Sequence, residues 1–515
     1  MRHWGVFLML ALAAPAAAQY RIAGQVVNSV TGAPLARARV MVAPVNDQSD
    51  EKNFLTGDDG RFRFEGLAAG KYMLYALRLG YPLQTFGQRA LGRQFASALA
   101  VGPEHDTSNI RFPLIPGAVI AGRVTDEAGD PADSVLVKPI RLNQRQTLMS
   151  AQPLPGVWTN DRGEYRIHTL PAGVWTVVAS GTPTWSMPGD NVFLATYHPD
   201  ATNPALAKPL TLRAGETVTA DIRLTTAKPA TVWVDIKALG LASPNVRLMQ
   251  EGPDGAGFEM PRHSYYPASD SVTIPGLPPG RYTLLVGPDQ MSVVARLDFT
   301  ASSGGEHKFT MERNGAQVGG KVKVDGPSAG IRGEMFVMFR DLLAGALAHG
   351  AIQADGSFRL PELAPGRYLL AIGGRREAFT RSVTVEGAGF ADGFVDVTPK
   401  AEIDIQVVLD TVTFPVAGVA TSDSGPAVGV YAVLVPVNSP LPMMQMRMDQ
   451  TDSDGTFLWP NLVSGEYLAF AAAEGEDSDY VDAGVRAKYL KRAVRLKISP
   501  DMETPVRIPL VTVPE

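Results

Sequence analysis

The six histidines after residue 18 come first in a search for chemistry, because imidazole is a common metal ligand and acid–base group. A zinc peptidase needs two or three ligands at fixed spacing, with one position on the metal left open. None of these histidines has a second His or a Glu at helical metal-ligand spacing, and the chain has no Cys. The sequence therefore predicts no metal ligand, no cofactor and no catalytic residue. We interpret the six as surface or loop residues: His105, His168, His198, His263, His307 and His349.

The segment from Gly326 to Gly330 is GPSAG, which matches the G-x-S-x-G pattern of a nucleophilic serine. That pattern requires a strand, a sharp turn and then a helix, so that the serine is exposed at the turn. Here Pro327 precedes Ser328, and the corresponding place elsewhere in the chain is a Gly/Pro hairpin turn. We interpret Ser328 as a turn residue, and the sequence predicts that the protein is not an enzyme.

Alternating carboxylates at Asp452 and Asp454 resemble the start of a calcium-binding loop. Such a loop continues to a glutamate at its twelfth position, whereas Phe457 and Trp459 stand where ligands are needed. Turn formation explains the two carboxylates better, since Asp side chains accept hydrogen bonds from the backbone that follows them. We therefore assign no calcium ligand here.

Aromatic residues outside the repeated motif described next are the candidates for ligand binding. Sugars stack on flat, exposed rings that have polar neighbours. Trp185, Tyr197, His198, Tyr265 and Tyr266 lie in segments rich in Pro, Ser and Asp, and they are the candidate ligand-binding residues. The interpretation that we weigh above ligand contact is that these rings pack over the ends of sheets.

A sequence motif occurs five times in the chain, and we expect it to form the strands that position these residues. Its first copy, DDGRFRFEGLAAGKYMLYA from Asp58, contains an Asp-Gly turn, two alternating phenylalanines, a Leu, a Gly and an aromatic residue. The copies recur about every 100 residues, which is the length of a domain and exceeds a solenoid repeat. The Leu, Gly and aromatic positions are Leu67, Gly70 and Tyr72; Leu170, Gly173 and Trp175; Leu277, Gly280 and Tyr282; Leu363, Gly366 and Tyr368; and Leu462, Gly465 and Tyr467.

This motif predicts a β-hairpin in each copy. The turn at Gly60 reverses the chain, because Gly adopts positive φ without steric cost. Phe62 and Phe64 then lie on one inward face of a strand, and Leu67 fills the end of the core. A hairpin is unstable alone, and a strand–turn–strand segment such as the one that starts at Ile22 supplies a second sheet. We predict an all-β chain of five tandem immunoglobulin-like β-sandwiches, each of about seven strands.

The predicted boundaries follow the repeat, with short connections near Pro116, Lys228, Gly315 and Pro415. Because the connections are short, we expect a semi-rigid rod. The third copy is divergent, since it lacks the Asp-Gly turn and has Val272 in place of an aromatic residue. The predicted segments are a signal peptide at 1–18, unit one at 19–115, unit two at 116–227, unit three at 228–313, unit four at 314–412 and unit five at 413–515.

The first 18 residues predict export through a secretory signal peptide. Arg2 precedes an apolar run, and Ala16, Ala17 and Ala18 form a small-residue cleavage site. No later segment is long and apolar enough for a membrane-spanning helix. The formal net charge of -5 argues against nucleic acid as a partner. We expect a periplasmic, outer-surface or extracellular location, with polysaccharide or other cell-envelope proteins as the classes of partner.

The opening G-x-V strand, the D-x-x-G-x-[FY] turn and the L-x-x-G-x-[YW] pattern together resemble the carboxypeptidase regulatory-like domain. That family is also described as transthyretin-like and has a prealbumin-type sandwich. The resemblance extends over almost all of residues 19–515 and is similar to what multi-domain exported bacterial proteins carry. In metallocarboxypeptidases such a domain accompanies a separate catalytic domain, so the resemblance implies a non-catalytic module and brings no catalytic residue.

Three hypotheses about function follow from the sequence. The preferred one is an exported, non-catalytic protein that acts as a binding or structural and adhesive surface module. The alternative is an array of carbohydrate-binding modules that recognises polysaccharide through exposed loop aromatics. A second alternative is an enzyme with an unrecognised site.

Overall fold

β-Strands form nearly all of the regular structure of this chain. The computed structural model describes residues 19–512, apart from 48, 89–90, 92–96, 143–154, 182–190, 252–256, 261–264, 290–291, 327–333, 342–346, 375–377, 438, 440, 474–479 and 481–482. The prediction of an all-β chain is confirmed. No helix in the described part is long and apolar enough to cross a membrane.

The first three units are built from short strands and two single-turn 3-10 helices. In unit one the strands are β1 (Tyr20–Asn28), β2 (Arg39–Pro44), β3 (Lys52–Leu55), β4 (Arg61–Leu67), β5 (Gly70–Arg78), β6 (Tyr81–Thr85), β7 (Leu99–Val101) and β8 (Ile110–Leu114). Unit two has β9 (Ala118–Thr125), β10 (Leu136–Arg141), β11 (Val157–Trp158), β12 (Glu164–Leu170), β13 (Gly173–Ser180), β14 (Val192–Phe193), β15 (Thr196–Tyr197), a 3-10 helix (Pro204–Leu206), β16 (Leu210–Leu212), β17 (Thr217–Thr219), β18 (Ile222–Arg223) and β19 (Thr226–Ala227). Unit three has β20 (Ala230–Asp235), a 3-10 helix (Lys237–Leu239), β21 (Asn245–Glu251), β22 (Gly257–Glu259), β23 (Tyr266–Pro267), β24 (Ser271–Leu277), β25 (Gly280–Gly287), β26 (Ala295–Ala301) and β27 (Glu306–Thr310).

The last two units continue the same pattern, and unit five adds two short α-helices. Unit four has β28 (Gln317–Asp325), β29 (Phe336–Asp341), β30 (Leu347–Ala351), β31 (Ser357–Arg359), β32 (Gly366–Gly373), β33 (Phe379–Glu386), β34 (Gly389–Ala391), β35 (Phe394–Val397) and β36 (Glu402–Asp410). Unit five has β37 (Phe414–Ser422), β38 (Gly425–Pro426), β39 (Tyr431–Pro436), α1 (Pro442–Gln445), β40 (Arg447–Gln450), β41 (Thr456–Leu462), β42 (Gly465–Ala472), α2 (Ala483–Leu490), β43 (Val494–Ile498) and β44 (Val506–Pro509).

Each unit contains two main sheets with one shared plan. In the first sheet the opening strand pairs antiparallel with a strand of the repeated motif and parallel with a strand late in the unit. The second sheet contains the strand that carries the aromatic residue of the motif, and this strand pairs antiparallel with the second long strand of the unit. The parallel pairs are β1 with β8, β9 with β17 and β18, β20 with β27, β28 with β36, and β37 with β44.

Five clusters of buried apolar residues each lie within one of the predicted segments. Phe62 and Phe64 are 2% and 5% exposed, and the motif leucines of all five copies are at most 3% exposed. The motif rings are buried as well, with at most 7% exposure at Tyr72. The inward positions predicted for the phenylalanines, leucines and rings are therefore confirmed. That each unit is an independent domain stays a prediction.

The aromatic residue of every copy donates a hydrogen bond to the backbone carbonyl four residues before it. A buried phenol or indole needs such a partner, because an unsatisfied polar group in a core is destabilising. The bond closes the loop between the Leu and the ring of the motif. The five bonds are Tyr72 to Ala68 at 3.1 Å, Trp175 to Pro171 at 3.1 Å, Tyr282 to Pro278 at 2.8 Å, Tyr368 to Ala364 at 2.8 Å and Tyr467 to Val463 at 3.1 Å.

Glycine at the motif turn is required by both backbone conformation and space. Gly163 has φ of +72°, a left-handed conformation that favours glycine. A Cβ atom on Gly163 would lie 2.3 Å from the carbonyl oxygen of Val124, on the opening strand. The turn therefore passes directly over the neighbouring strand, and its own carbonyl accepts a hydrogen bond from the Val124 amide at 2.8 Å.

Unit three follows the common plan although its motif is divergent. Its ring, Tyr282, makes the same bond to its own loop, and Leu277 is 1% exposed. The unit has no Asp-Gly hairpin before β24. Instead β23 pairs antiparallel with β24 at the edge of the sheet, through Tyr266 and Pro267. Along β20, inward residues such as Val232 alternate with outward residues, as in the opening strands of the other units.

We predict that Tyr282→Phe lowers the free energy of unfolding of unit three by about 1 kcal/mol, because the Pro278 carbonyl loses its partner. Tyr282→Ala should cost about 3 to 5 kcal/mol, since it also removes a buried ring. Hydrogen exchange of peptides from β24 and β25 in the full chain measures both effects. Tyr266→Phe is the matched control, because Tyr266 is 62% exposed, and it should leave exchange unchanged. Equal protection in Tyr282→Phe and the wild type would contradict the role of the hydrogen bond.

Candidate functional site

Tyr197 and His198 are buried in unit two, and the prediction that they are exposed is wrong. Tyr197 is 1% exposed on β15, where it packs with Val178 and Ala195. His198 is 9% exposed, and its Nδ1 lies 2.8 Å from the carbonyl oxygen of Asp221. Tyr197 is also in register with Val178 of β13, and its buried ring presents no face to solvent.

Tyr265 and Tyr266 are adjacent in sequence but face opposite ways. Tyr265 is 4% exposed and donates a hydrogen bond to the Val246 carbonyl at 2.8 Å, so it belongs to the core and its predicted exposure is wrong. Tyr266 is 62% exposed on β23. Successive side chains of an extended backbone alternate between faces, which separates the two rings. Of these two predicted site residues, only Tyr266 presents its ring to solvent.

Two other residues singled out from the sequence, Trp185 and Ser328, lie outside the described residues. Within the described residues, no group of three or more His, Asp or Glu side chains could hold a metal ion. Asp454 caps its own turn, accepting from the Thr456 amide at 3.0 Å and from its hydroxyl at 2.5 Å. This geometry agrees with the interpretation of Asp454 as a turn residue.

One exposed aromatic pair spans the outer face of unit three. Tyr266 on β23 is in register with Thr273 on β24, and Thr273 is in register with Trp233 on β20. Trp233 is 43% exposed and is in register with the exposed Lys308 on β27. These four residues form one row across the sheet, on the face that points away from the core. Trp233 was not among the residues predicted from the sequence, and it lies inside the opening strand of the unit.

The side chain of Asp452 in unit five binds unit one. Lys71 Nζ donates to Asp452 Oδ2 at 2.5 Å and to Thr456 Oγ1 at 2.8 Å. The amide of Ala98 donates to Asp452 Oδ1 at 2.7 Å. Both carboxylate oxygens of Asp452 therefore accept hydrogen bonds from unit one. The Asp452 side chain is only 16% exposed.

The backbone of the same turn covers the free edge of β7. Ala100 donates its amide to the Ser453 hydroxyl at 2.9 Å, and Ser453 donates its own amide to the Ala98 carbonyl at 3.0 Å. The Ser97 hydroxyl donates to the Thr451 carbonyl at 2.8 Å. Unpaired strand edges promote association with other chains, and this turn satisfies one of them.

Units one and five are therefore in direct contact, which the expectation of a semi-rigid rod did not include. We call the bonds made by Asp452, Ser453, Thr451 and Thr456 to unit one the end-to-end contact. Consecutive units touch through polar bonds as well. These are Lys138 to the Glu259 carbonyl at 2.8 Å, Arg313 with Glu362 at 3.1 Å, and Gln445 to the Thr380 carbonyl at 2.8 Å.

A half-buried carboxylate, Asp449, lies beside the end-to-end contact. Burial raises its pKa from the ordinary 3.8 to about 6, and the negative charge of Asp452 adds to this shift. Backbone amides oppose the rise, since Leu458 donates to Asp449 at 2.7 Å and Gln450 donates at 2.9 Å. The positive charge of Lys71 also opposes it.

Comparison with known families identifies the first unit. Residues 21–102 match the sequence model of a family described as the carboxypeptidase regulatory-like domain. This segment is similar to carboxypeptidase regulatory-like domains. The other four units share with it the ring-to-carbonyl bond and the parallel pairing of the opening strand. No curated protein matches the chain.

Several solved bacterial proteins, pilins among them, are similar to the chain at low identity. The Bacillus anthracis TIE protein has 13% identity, with 76% of this chain and 74% of that chain covered and a TM-score of 0.19. A streptococcal ancillary pilin has 12% identity, with coverage of 57% and 99% and a TM-score of 0.19. A minor pilin of Streptococcus agalactiae has 12% identity, with coverage of 40% and 96% and a TM-score of 0.21. At TM-scores this low, the similarity says nothing about what the chain binds.

We predict that acid stabilises unit five through Asp449. The folded-state pKa of about 6 lies above the ordinary 3.8, so the folded state binds the proton more tightly and stability falls as pH rises through 6. Between pH 7 and about pH 5 the wild type should gain about 1 kcal/mol relative to Asp449→Asn, which cannot titrate. Calorimetric unfolding of both proteins at the two pH values measures the difference. A difference that does not change with pH would contradict the assignment.

We also predict that Asp452→Ala opens the end-to-end contact, because Lys71 and the Ala98 amide lose their acceptor. The radius of gyration measured by small-angle X-ray scattering should increase. Asp58→Ala is the control, since Asp58 is an exposed turn carboxylate of unit one, and it should leave the radius unchanged. The same radius in Asp452→Ala and the wild type would show that this carboxylate does not hold the two ends together.

Proposed function

We propose that this chain is an exported, non-catalytic protein, built from carboxypeptidase regulatory-like units, that acts as a binding or structural surface module. The match of residues 21–102 to that family supports the class of module. Extending the family to units two to five, and export by residues 1–18, are parts of the proposal. Its location is the periplasm, the outer surface or the medium.

The observation that carries the proposal is that the recurring residues are used inside the fold. The ring of each copy donates to its own loop, the Leu fills the core, and the turn carboxylates accept bonds from the following backbone. We infer that the residues repeated five times serve to build a sandwich. The outward faces of the units are where a ligand or partner would bind.

The end-to-end contact supports a structural role for the array as a whole. It joins the first and last units by one ion pair and several backbone bonds, around an Asp452 that is mostly withdrawn from solvent. A contact of this kind fixes the positions of the outward faces relative to one another. The entropy cost is then smaller when several faces bind one extended partner. Loosely connected units would bear that cost in full.

Cell fractionation tests the proposed location. A full chain with a C-terminal epitope tag, produced in a Gram-negative host, should appear in the envelope or medium and lose residues 1–18. A chain that lacks residues 1–18 is the control, and it should stay in the cytoplasm. Retention of the full chain in the cytoplasm, with an uncleaved N-terminus, would contradict export.

Hydrolysis assays test the non-catalytic part. The purified chain should show no peptidase or esterase activity on peptide amides and p-nitrophenyl esters above that of a heat-unfolded sample. Ser328→Ala is the matched variant, because Ser328 is the serine of the GPSAG segment. Activity that is present in the wild type and lost in Ser328→Ala would establish an enzyme instead.

A further inference from the structure

Unit three differs from the other four units at one outward position of its opening strand. Trp233 stands where the aligned strands have alanine or glycine, and its cross-strand neighbour is the short Thr273, where the others have arginine or leucine. The aligned pairs are Ala23 with Arg63, Ala121 with Arg166, Gly319 with Arg359 and Ala417 with Leu458. In those units a long side chain faces a small one, whereas unit three presents a large ring beside a small residue.

The two exposed rings of unit three have a defined separation. Trp233 and Tyr266 are both in register with Thr273, from its two sides, so they lie two strand spacings apart. Strands in a sheet are about 4.8 Å apart, which places the Cα atoms of Trp233 and Tyr266 about 10 Å from each other. That separation is about two sugar units of an extended polysaccharide. The short Thr273 between them leaves room for a chain to cross the sheet.

The surroundings of the rings are polar and carry both signs of charge. Side chains two positions along each strand lie on the same face as the rings. They offer hydroxyl and charged groups that can donate to or accept from sugar hydroxyls, with no excess of positive charge to select a polyanion. The polar neighbours are Thr231, Asp235, Ser271, Glu306 and Thr310, with Lys308 directly in register with Trp233; Pro275 is an apolar one.

The large apolar side chains exposed on this face are aromatic, and the exposed Pro275 lies beside them on β24. Among the described residues of unit three, Trp233 and Tyr266 are the only large apolar side chains that are highly exposed. A protein-docking surface usually combines aromatic and aliphatic residues over several hundred Å². Two isolated rings in one row, with polar residues around them, fit the alternating apolar and hydroxyl-rich surface of a pyranose better.

We propose that the outer face of unit three binds a neutral polysaccharide, with Trp233 and Tyr266 stacked on two of its pyranose rings. The proposal names the ligand class of one surface and so rests on the proposed function of a surface binding module. The sheet backbone holds both rings, so little ordering is needed when the ligand binds. The site does not use the buried Tyr197, His198 or Tyr265.

Affinity gel electrophoresis of the full chain in native gels tests this proposal. The gels contain xylan, glucomannan or hydroxyethyl cellulose, with polygalacturonate as a charged polymer. The wild type should be retarded by at least one of the three neutral polymers and not by polygalacturonate. Trp233→Ala and Tyr266→Ala should each weaken binding by about tenfold, the effect of losing one central ring contact.

Matched variants separate stacking from a general loss of structure. Trp158→Ala removes a tryptophan that is 52% exposed in unit two, and it should bind as the wild type does. Trp233→Phe keeps a ring and should retain more binding than Trp233→Ala. Hydrogen exchange of β20 should be unchanged in both variants at position 233, because the ring lies outside the core.

Several outcomes would overturn the proposal. These are no retardation by any neutral polymer, retardation only by polygalacturonate, or equal losses in Trp158→Ala and Trp233→Ala. None of these results bears on export or on the absence of hydrolysis, which are measured separately. Failure of the sugar site can therefore be distinguished from failure of the proposed function.

Discussion

The hydrogen bond from each motif ring to its own loop is the constraint on which the rest of the structure depends. A phenol that is 2% exposed, as in Tyr282, must have a partner inside the protein, and the nearest free carbonyl is that of Pro278. Reaching it folds the ring back over Gly280, where a Cβ atom would lie 3.4 Å from the ring. The spacing of Leu, Gly and aromatic residue thus follows from one closed loop, which positions the ring between the two sheets.

Much of this interior could be predicted from sequence, because its signals are local. Period-two alternation places Phe62 and Phe64 inward, and the positive φ required at the turn selects glycine. The parallel pairing of β1 with β8 had no such signal, since it joins residues far apart in the chain. Its only sequence trace is apolar alternation at Phe112 and Leu114, which would suit an antiparallel strand equally well.

The predicted binding residues failed for a related reason. Position outside the motif does not decide exposure, because the ring of Tyr197, on the short strand β15, packs with Val178 and Ala195 and is as buried as a core ring. Tyr265 and Tyr266 show that a single position along a strand decides whether a ring is buried. Tyr265 belongs to the core, whereas the next residue, Tyr266, is exposed. The end-to-end contact was equally hidden from sequence. Asp452 lies in a turn like those of other units, and only the approach of β7 gives it a different role.

Alternation between two faces also explains how one unit can acquire a ligand site without losing stability. On β20, Val232 and Val234 are fully buried, while Trp233 between them points outward. A change at the outward position leaves the core and the ring-to-loop bond intact, so selection on binding and selection on folding act on different residues. Units that keep a small residue there, such as Ala121, have a long residue in register with it, Arg166. The divergence of unit three at this position is therefore expected of a fold in which the repeated interior maintains stability and the outward faces are free to differ.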